Sequence, residues 1–164
     1  MKSVKSMSNA ELANSFRPNA GVVVLGRGND VLAFRRTGTD AWQFPQGGID
    51  PGEAPVDAMW RELREETGLS DDHLELVGEI PEWLGYEIPE EFRRKKLSRG
   101  QVQRWFFLRV DPEAIAGVEE ALADLPPDEF DGWKWTTMSD LVAEVISFRQ
   151  PIYRRLAEFA DSLR

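Results

Sequence analysis

The pattern of apolar and polar positions predicts a domain in which strands and helices are mixed. Residues 20–25 (AGVVVL) form a short apolar run rich in β-branched side chains, which is typical of a buried strand. The turn-forming residues 26–30 separate this run from a second one over residues 31–35, and this arrangement indicates a hairpin. By the same criteria, further strands are predicted over residues 74–80, 83–86, 101–110 and 132–136.

The strongest helical pattern lies over about residues 54–67. Pro55 suits the first turn of a helix, where its missing N–H costs nothing, and Gly68 suits the C-terminal cap. An apolar stripe at helical spacing comprises Val56, Trp60 and Leu63. Other helices are predicted over residues 112–123, 139–145 and 151–163. Because strands and helices do not alternate regularly, the pattern favours an α/β fold with a mixed β-sheet flanked by helices.

Length and composition predict one domain. We expect a flexible tail over residues 1–16, which are polar, followed by a single domain over residues 17–164. No apolar run approaches the roughly 18–20 residues that cross a membrane. The chain has no cysteine and one histidine, His73, which excludes disulfides, thiolate zinc sites and chemistry that needs two imidazoles. These features favour a cytoplasmic protein with no membrane partner and leave glutamate as the main candidate for acid–base chemistry.

The net charge of −9 limits the choice of ligand. Proteins that grip a nucleic-acid backbone are usually basic, so DNA is not an expected partner. If the substrate is a phosphate compound, cations must lie between it and the protein. Residues 93–99 carry a basic cluster that either guides a phosphate backbone or forms a solvated loop.

Three carboxylates are the first candidates for chemistry. Glu62, Glu65 and Glu66 stand at i, i+3 and i+4 of the predicted helix and are expected to share one face. Ala58, one turn earlier, is small and is expected to leave that face open. Carboxylates this close repel each other unless a cation lies among them, and oxygen ligands suit Mg²⁺ or Mn²⁺. Taken alone, such a run is more often a solvated acidic face.

The spacing around these glutamates carries a family resemblance. Residues 47–69 match the pattern G-x5-E-x7-R-E-U-x-E-E-x-G-U, where U is bulky and apolar. The fixed positions are Gly47, Glu53, Arg61, Glu62, Leu63, Glu65, Glu66, Gly68 and Leu69. This pattern resembles the signature of the Nudix hydrolase family. The resemblance implies an α/β/α sandwich that hydrolyses phosphoanhydride bonds at a loop–helix–loop metal site.

The resemblance also implies roles for individual residues. Glu62, Glu65 and Glu66 would hold two or more Mg²⁺ or Mn²⁺ ions, and one of them, or water activated at the metal, would start the reaction. Arg61 would orient a glutamate by ion pairing, and Glu53 would brace the loop. The other implied metal ligands are a main-chain carbonyl near Gln46 or Gly47 and the distal carboxylate of Glu129. Tight turns explain the box glycines, Gly47 and Gly68.

A wider resemblance spans about residues 16–160 and includes the segments 17–22, 42–49, 100–106, 129–133 and 147–155. These segments are similar to two groups within the family, the bacterial RNA pyrophosphohydrolases and the dinucleoside polyphosphate hydrolases. The substrate-binding residues that this similarity implies are Arg17, Arg36, Tyr86, Phe148 and Arg149.

The substrate stays open between a 5′-triphosphate RNA end, which would lose pyrophosphate, and a dinucleoside polyphosphate such as diadenosine tetraphosphate. Clean-up of oxidised nucleoside triphosphates is a further enzymatic alternative. A non-catalytic nucleotide-binding regulator is the alternative from another class of protein, although such proteins usually lose a glutamate or the arginine of the box. The sequence leaves the oligomeric state open.

Overall fold

The structure is a computed structural model that describes residues 16–92 and 100–163. The predicted tail lies outside the described residues except for Phe16, whose side chain is 2% exposed and packs with Val102. The basic cluster of residues 93–99 also lies outside them.

Eight strands form one mixed sheet in the described residues. Their bounds are β1 (Arg17–Leu25), β2 (Asp30–Arg36), β3 (Trp42–Gln43), β4 (Gln46–Gly48), β5 (Leu74–Glu79), β6 (Leu84–Glu87), β7 (Gly100–Val110) and β8 (Phe130–Thr137). The main order is β3-β2-β1-β7-β5, with β4 paired to β1, β6 to β7 and β8 to β2. Strands β1 and β7 run parallel, and the other pairs are antiparallel.

Helices cover both faces of this sheet. Their bounds are α1 (Pro55–Thr67), α2 (Ile115–Leu122), α3 (Met138–Glu144) and α4 (Gln150–Ser162). Successive side chains of β1 point to opposite faces. Val22 and Val24 therefore join the core under α1 and α2, whereas Val23 and Leu25 join the core under α3 and α4. The predicted mixed sheet flanked by helices is confirmed as a three-layer α/β/α sandwich.

The first helix differs from its prediction in one respect. Ala58 was expected to keep the carboxylate face open, but its side chain is 0% exposed and belongs to the core. Met59 and Leu63 are also buried, while Val56 and Trp60 are only partly buried against the same core. A helix that lies on a sheet buries an arc of about 100° or more, so the buried stripe is wider than the sequence pattern suggested. Gly68 ends the helix with φ of 80°, a left-handed conformation that favours glycine.

A buried tyrosine holds the short segment between β3 and β4. The main-chain N–H of Phe44 donates a 2.8 Å hydrogen bond to the Tyr153 hydroxyl, and the two rings stack 5.1 Å apart. Burial raises the pKa of Tyr153 to about 12, so the hydroxyl stays neutral. Helix α4 thereby fixes the segment that carries Gln43 and Gln46.

Replacing Tyr153 by phenylalanine is expected to lower the free energy of unfolding by about 1–3 kcal/mol, because the Phe44 N–H loses its acceptor in the core. Urea unfolding monitored by circular dichroism measures the change, and the slope with denaturant should stay constant. An unchanged midpoint would show that this hydrogen bond does not stabilise the fold.

Candidate metal and phosphate site

The candidate site begins at a close approach between β4 and α1. A Cβ atom built on Gly47 would lie 2.0 Å from Cδ of Glu62, so only glycine leaves room for this carboxylate. Gly47 pairs with Ala20 in the antiparallel ladder between β4 and β1. The sheet therefore fixes the backbone against which the Glu62 side chain lies.

Arg61 links the loop before α1 to the helix. Its Nε and Nη2 atoms each donate a 2.8 Å hydrogen bond to Glu53, one to each carboxylate oxygen. Nη2 also donates to the Gly48 carbonyl at 2.9 Å, and Nη1 donates to Oε1 of Glu62 at 2.9 Å. Two-pronged, charge-assisted contacts of this kind fix geometry more strongly than single hydrogen bonds. Arg61 thus orients Glu62 as well as bracing the loop.

The pKa values of Glu53 and Arg61 reflect the hydrogen bonds between them. Hydrogen bonds from Arg61 and from the Asp50 N–H lower the pKa of Glu53 to about 2. The hydrogen bond with Glu53 raises the pKa of Arg61 above its ordinary value. Both groups therefore stay charged throughout the neutral pH range.

Glu66 is the most perturbed carboxylate in the described residues. Burial is the largest cause, followed by a hydrogen bond to Glu62 and by the negative charges of Glu62 and Glu129, and together they raise its pKa to about 9. Its Oε2 atom is buried with no hydrogen-bond donor among the described residues. Three neighbouring carboxylates therefore already repel one another at this point.

The structure places two of the three box glutamates, Glu62 and Glu66, in the lining of one cleft. Glu65 has a side chain that is 58% exposed, makes a 3.4 Å ion pair with Arg61 and does not line the cleft. The three positions span about 100° around the helix axis, and Glu65 lies at the more exposed edge of this shared face. Glu129, from the chain just before β8, takes the third position beside Glu62 and Glu66.

These carboxylates line a cleft of about 360 Å³ whose described lining has no apolar side chain. The lining comprises three glutamates, three arginines, four amide side chains and two glycines: Glu62, Glu66, Glu129, Arg17, Arg36, Arg149, Asn19, Gln43, Gln46, Gln101, Gly47 and Gly48. A larger cavity of about 690 Å³ beside His73 and Arg109 shares none of these residues.

Several lining residues carry buried polar atoms that lack partners among the described residues. They are Oε2 of Glu66, Oδ1 of Asn19 and Nε of Arg149. Buried polar atoms are rarely left unpaired in folded proteins, and such atoms mark places where a ligand or an ion completes the hydrogen bonding. The cleft has the chemistry of a site for a charged ligand.

The residues also fit a divalent cation. No three acidic or histidine side chains among residues 16–92 and 100–163 already stand in an arrangement ready to hold a metal ion. Nevertheless, Glu66 faces Glu62, has a raised pKa and carries a buried oxygen that lacks a donor. A cation between them would replace the proton and remove the repulsion. The donors are all oxygens, which suits Mg²⁺ or Mn²⁺.

Two residues that were expected to contact substrate lie outside the cleft. Tyr86 is buried, and its hydroxyl donates a 2.6 Å hydrogen bond to Oε1 of Gln101. Phe148 lies beside Tyr86, with ring centroids 5.5 Å apart, and the Arg149 guanidinium lies within 6 Å of both rings. The two aromatic residues therefore support Arg149 and Gln101 from behind.

Phe148 instead lines a second, smaller pocket next to the cleft. This pocket of about 100 Å³ shares Arg36, Gln43 and Arg149 with the cleft. Its remaining lining is mainly apolar: Ala41, Trp42, Val145, Ile146 and Phe148. A polar cleft thus adjoins an apolar pocket across a shared wall.

The predicted site residues did not include the amide side chains of the cleft. Gln101 and Gln103 lie two residues apart on β7, and Gln103 is buried among apolar neighbours. The available signal was that two amides occupy alternate positions near the start of a mainly apolar strand, which places them on one face. Their partners across the sheet depend on strand order, which one sequence does not show.

The fold and this cleft together define an α/β/α protein with a loop–helix site built for charged ligands. The family model described as a NUDIX domain matches residues 15–156, so the chain belongs to the Nudix family. It is 42% identical to the RNA pyrophosphohydrolase of Tolumonas auensis over 151 residues, which cover 90% of this chain and 86% of that protein. It is also 41% identical to the RNA pyrophosphohydrolase of a Psychrobacter species over 155 residues, which cover 92% of this chain and 88% of that protein.

Solved structures share the fold at lower identity. The dihydroneopterin triphosphate pyrophosphohydrolase of E. coli matches with a TM-score of 0.66 and 20% identity, over 87% of this chain and 97% of that one. The Ap4A hydrolase of C. elegans, in a binary complex, matches with a TM-score of 0.62 and 19% identity, over 89% and 98%. Within the described residues, no helix has both the length and the apolar character needed to span a bilayer.

The raised pKa of Glu66 predicts how stability depends on pH in the absence of metal. Between about pH 4.5 and about pH 9, Glu66 keeps its proton in the folded state but has lost it in the unfolded state. The contribution of Glu66 is therefore fully present below pH 4.5 and is lost as pH rises towards 9. We therefore expect the free energy of unfolding in EDTA to decrease as pH rises over this range. In Glu66→Gln this decrease should be smaller.

Urea unfolding at about pH 5 and about pH 8.5 measures this difference. Addition of Mg²⁺ should oppose the fall in the parent protein and do less in Glu66→Gln, because a ligand that binds only the folded state stabilises it. Equal pH dependence in both proteins would contradict the environment assigned to Glu66.

Proposed function

We propose that this protein is a Mg²⁺-dependent pyrophosphohydrolase that removes pyrophosphate from the 5′-triphosphate end of RNA. One observation carries the proposal: the cleft places three carboxylates and three arginines in a single polar lining. Carboxylates alone would repel a polyphosphate, and arginines alone would not hold divalent ions. Together they suit a metal–polyphosphate complex, which supports a hydrolase acting on phosphoanhydride bonds.

In this proposal Glu62, Glu66 and Glu129 hold two or more Mg²⁺ or Mn²⁺ ions, together with Glu65 and a main-chain carbonyl at Gln46 or Gly47. Bound ions of this kind lower the pKa of water, clamp phosphate oxygens and stabilise charge on the leaving phosphate. The mutual repulsion of Glu62, Glu66 and Glu129 supports the assignment.

The remaining chemistry belongs to the side chains. Arg61 holds Glu62 in position through Nη1. Of the box glutamates, Glu62 and Glu66 line the cleft and are available to accept a proton from the attacking water. Arg17, Arg36 and Arg149 bind phosphate oxygens, for which the guanidinium group is well shaped.

The small pocket supplies a place for a base. Phe148 and Trp42 offer aromatic faces beside the shared residues Arg36 and Arg149, so a base can stack there while its phosphates lie in the cleft. Stacking tolerates different bases. Tyr86 acts indirectly, by holding Gln101 and packing under Arg149.

A second candidate function is hydrolysis of dinucleoside polyphosphates, with diadenosine tetraphosphate giving ATP and AMP. The net charge of −9 favours it, because a short substrate meets less repulsion than a long RNA backbone. The cleft itself recognises phosphates in either compound.

A kinetic panel with Mg²⁺ separates these functions. It compares γ-labelled 5′-triphosphate RNA, diadenosine tetraphosphate, oxidised and ordinary nucleoside triphosphates, with Glu62→Gln as the inactive control. We expect labelled pyrophosphate or phosphate from RNA at the highest kcat/KM. No release from RNA beside rapid cleavage of the dinucleotide would transfer the assignment to the second candidate. Binding without turnover of any compound would favour a regulator.

A further inference from the structure

Three side chains form a hydrogen-bonded chain from the core to the cleft. Trp105 and Gln103 are 1% and 2% exposed, whereas Gln46 lines the cleft. The indole Nε1 of Trp105 donates a 3.0 Å hydrogen bond to Oε1 of Gln103. Nε2 of Gln103 in turn donates to Oε1 of Gln46. The Gln103 amide therefore links the buried Trp105 to Gln46 at the cleft.

The sheet brings these residues together. Gly21 of β1 pairs with Gln46 of β4 on one side and with Trp105 of β7 on the other. A Cβ atom on Gly21 would lie 2.6 Å from the Trp105 ring, so the absence of a side chain there lets the indole lie across the strand. Gln103 pairs with Asn19, two residues earlier on β1.

The direction of each hydrogen bond follows from the first donor. An indole N–H can only donate, so Gln103 must turn its oxygen towards Trp105. Its amino group then faces Gln46, which must accept through its own oxygen. The amino group of Gln46 is left over, and no described residue accepts a hydrogen bond from it. An amide that could otherwise point either way is thus held with its donor free at the cleft.

We propose that the Gln46 amino group donates a hydrogen bond to a phosphate oxygen of the substrate, and that Trp105 and Gln103 are positioning residues that fix this orientation. The proposal rests on the proposed function, in which a polyphosphate occupies the cleft. The reversed amide would present an oxygen to the anion and repel it. A fixed donor gives attraction without any reorganisation when the substrate arrives. The Gln46 side-chain oxygen is occupied, which leaves only its main chain for a metal.

Gln103→Glu tests the orientation directly. The carboxylate still accepts from Trp105, but it now offers oxygen to Gln46 and forces that amide to reverse. We expect the KM for triphosphate RNA and the Kd for Mg²⁺–tripolyphosphate, measured by calorimetry, to rise about tenfold or more, with a smaller change in kcat. Gln46→Met removes the amide at nearly constant volume and should raise both constants similarly.

A double-mutant cycle separates reversal of the amide from the added charge. In the Gln46→Met background, Gln103→Glu should add clearly less than it does in the parent protein, because no amide remains to reverse. Equal effects in both backgrounds would overturn the proposal. Gln150→Met, at the start of α4 and outside the cleft, controls for the general effect of losing a glutamine amide.

Trp105→Phe provides a second route if the buried glutamate prevents folding. It removes the N–H and keeps an aromatic ring, so both amides become free to turn, and we expect a several-fold rise in the same Kd. In ¹⁵N-labelled parent protein, the Gln46 side-chain amino resonance should shift on addition of Mg²⁺–tripolyphosphate.

Different results would overturn the proposed function and the proposed orientation of Gln46. A parent protein that cleaves no phosphate compound would overturn the proposed function. A parent protein that cleaves triphosphate RNA normally, with an unchanged KM and Kd in Gln46→Met, would overturn the orientation proposal alone.

Discussion

Glu62→Gln is expected to lower kcat for the preferred substrate by roughly 10²–10⁴-fold while leaving the fold intact. Glu62 is held by Arg61, hydrogen-bonds with Glu66 and faces the cleft, so the amide removes a negative charge where the cations would lie. Steady-state kinetics measures the loss, and circular dichroism checks the fold. Glu158→Gln, on the exposed side of α4, is the matched control and should retain full activity.

The dependence of thermal stability on Mg²⁺ gives a second test of the role of Glu62. The thermal midpoint of the parent protein should rise with Mg²⁺ concentration, and that of Glu62→Gln should rise much less. A variant with parental kcat and a parental response to Mg²⁺ would remove Glu62 from the proposed mechanism.

Gly47→Ala is expected to cost about 10²-fold in kcat/KM, although it adds a single methyl group. The new Cβ would lie 2.0 Å from Cδ of Glu62, so either the carboxylate or strand β4 must move. Either movement displaces the Glu62 carboxylate from its position beside β4. Steady-state kinetics with the preferred substrate measures the loss of activity.

Gly132→Ala is the matched control for the added methyl group. A Cβ on Gly132 would meet its nearest atom, in Arg35, at an ordinary 3.5 Å, so activity should stay near that of the parent protein. Parental activity in Gly47→Ala would show that the close approach of Glu62 to strand β4 is not needed for catalysis.

Much of this site could be predicted because its residues lie close together in the sequence. The residues from Gly47 to Leu69 are continuous in sequence, and helical spacing alone places Glu62 and Glu66 on neighbouring turns. The cap glycine and the strand pattern are local in the same sense. For these elements the predicted and observed bounds differ by only a few residues.

The parts that the sequence did not reveal depend on long-range packing. The outward position of Glu65 follows from the angle at which α1 lies on the sheet and from the ion pair with Arg61. Tyr86 lies behind the cleft because β6 pairs with β7, which sets its hydroxyl against Gln101. The contact between Gln46 and Gln103 joins strands on either side of β1, and only the strand order brings them together.

A crystal structure with Mg²⁺ and a non-hydrolysable triphosphate analogue tests the central claim most directly. We expect at least one ion with oxygens of Glu62 and Glu66 at about 2.0–2.1 Å and a phosphate oxygen completing its coordination. A bound triphosphate beside ion-free, separated Glu62 and Glu66 side chains would contradict the account.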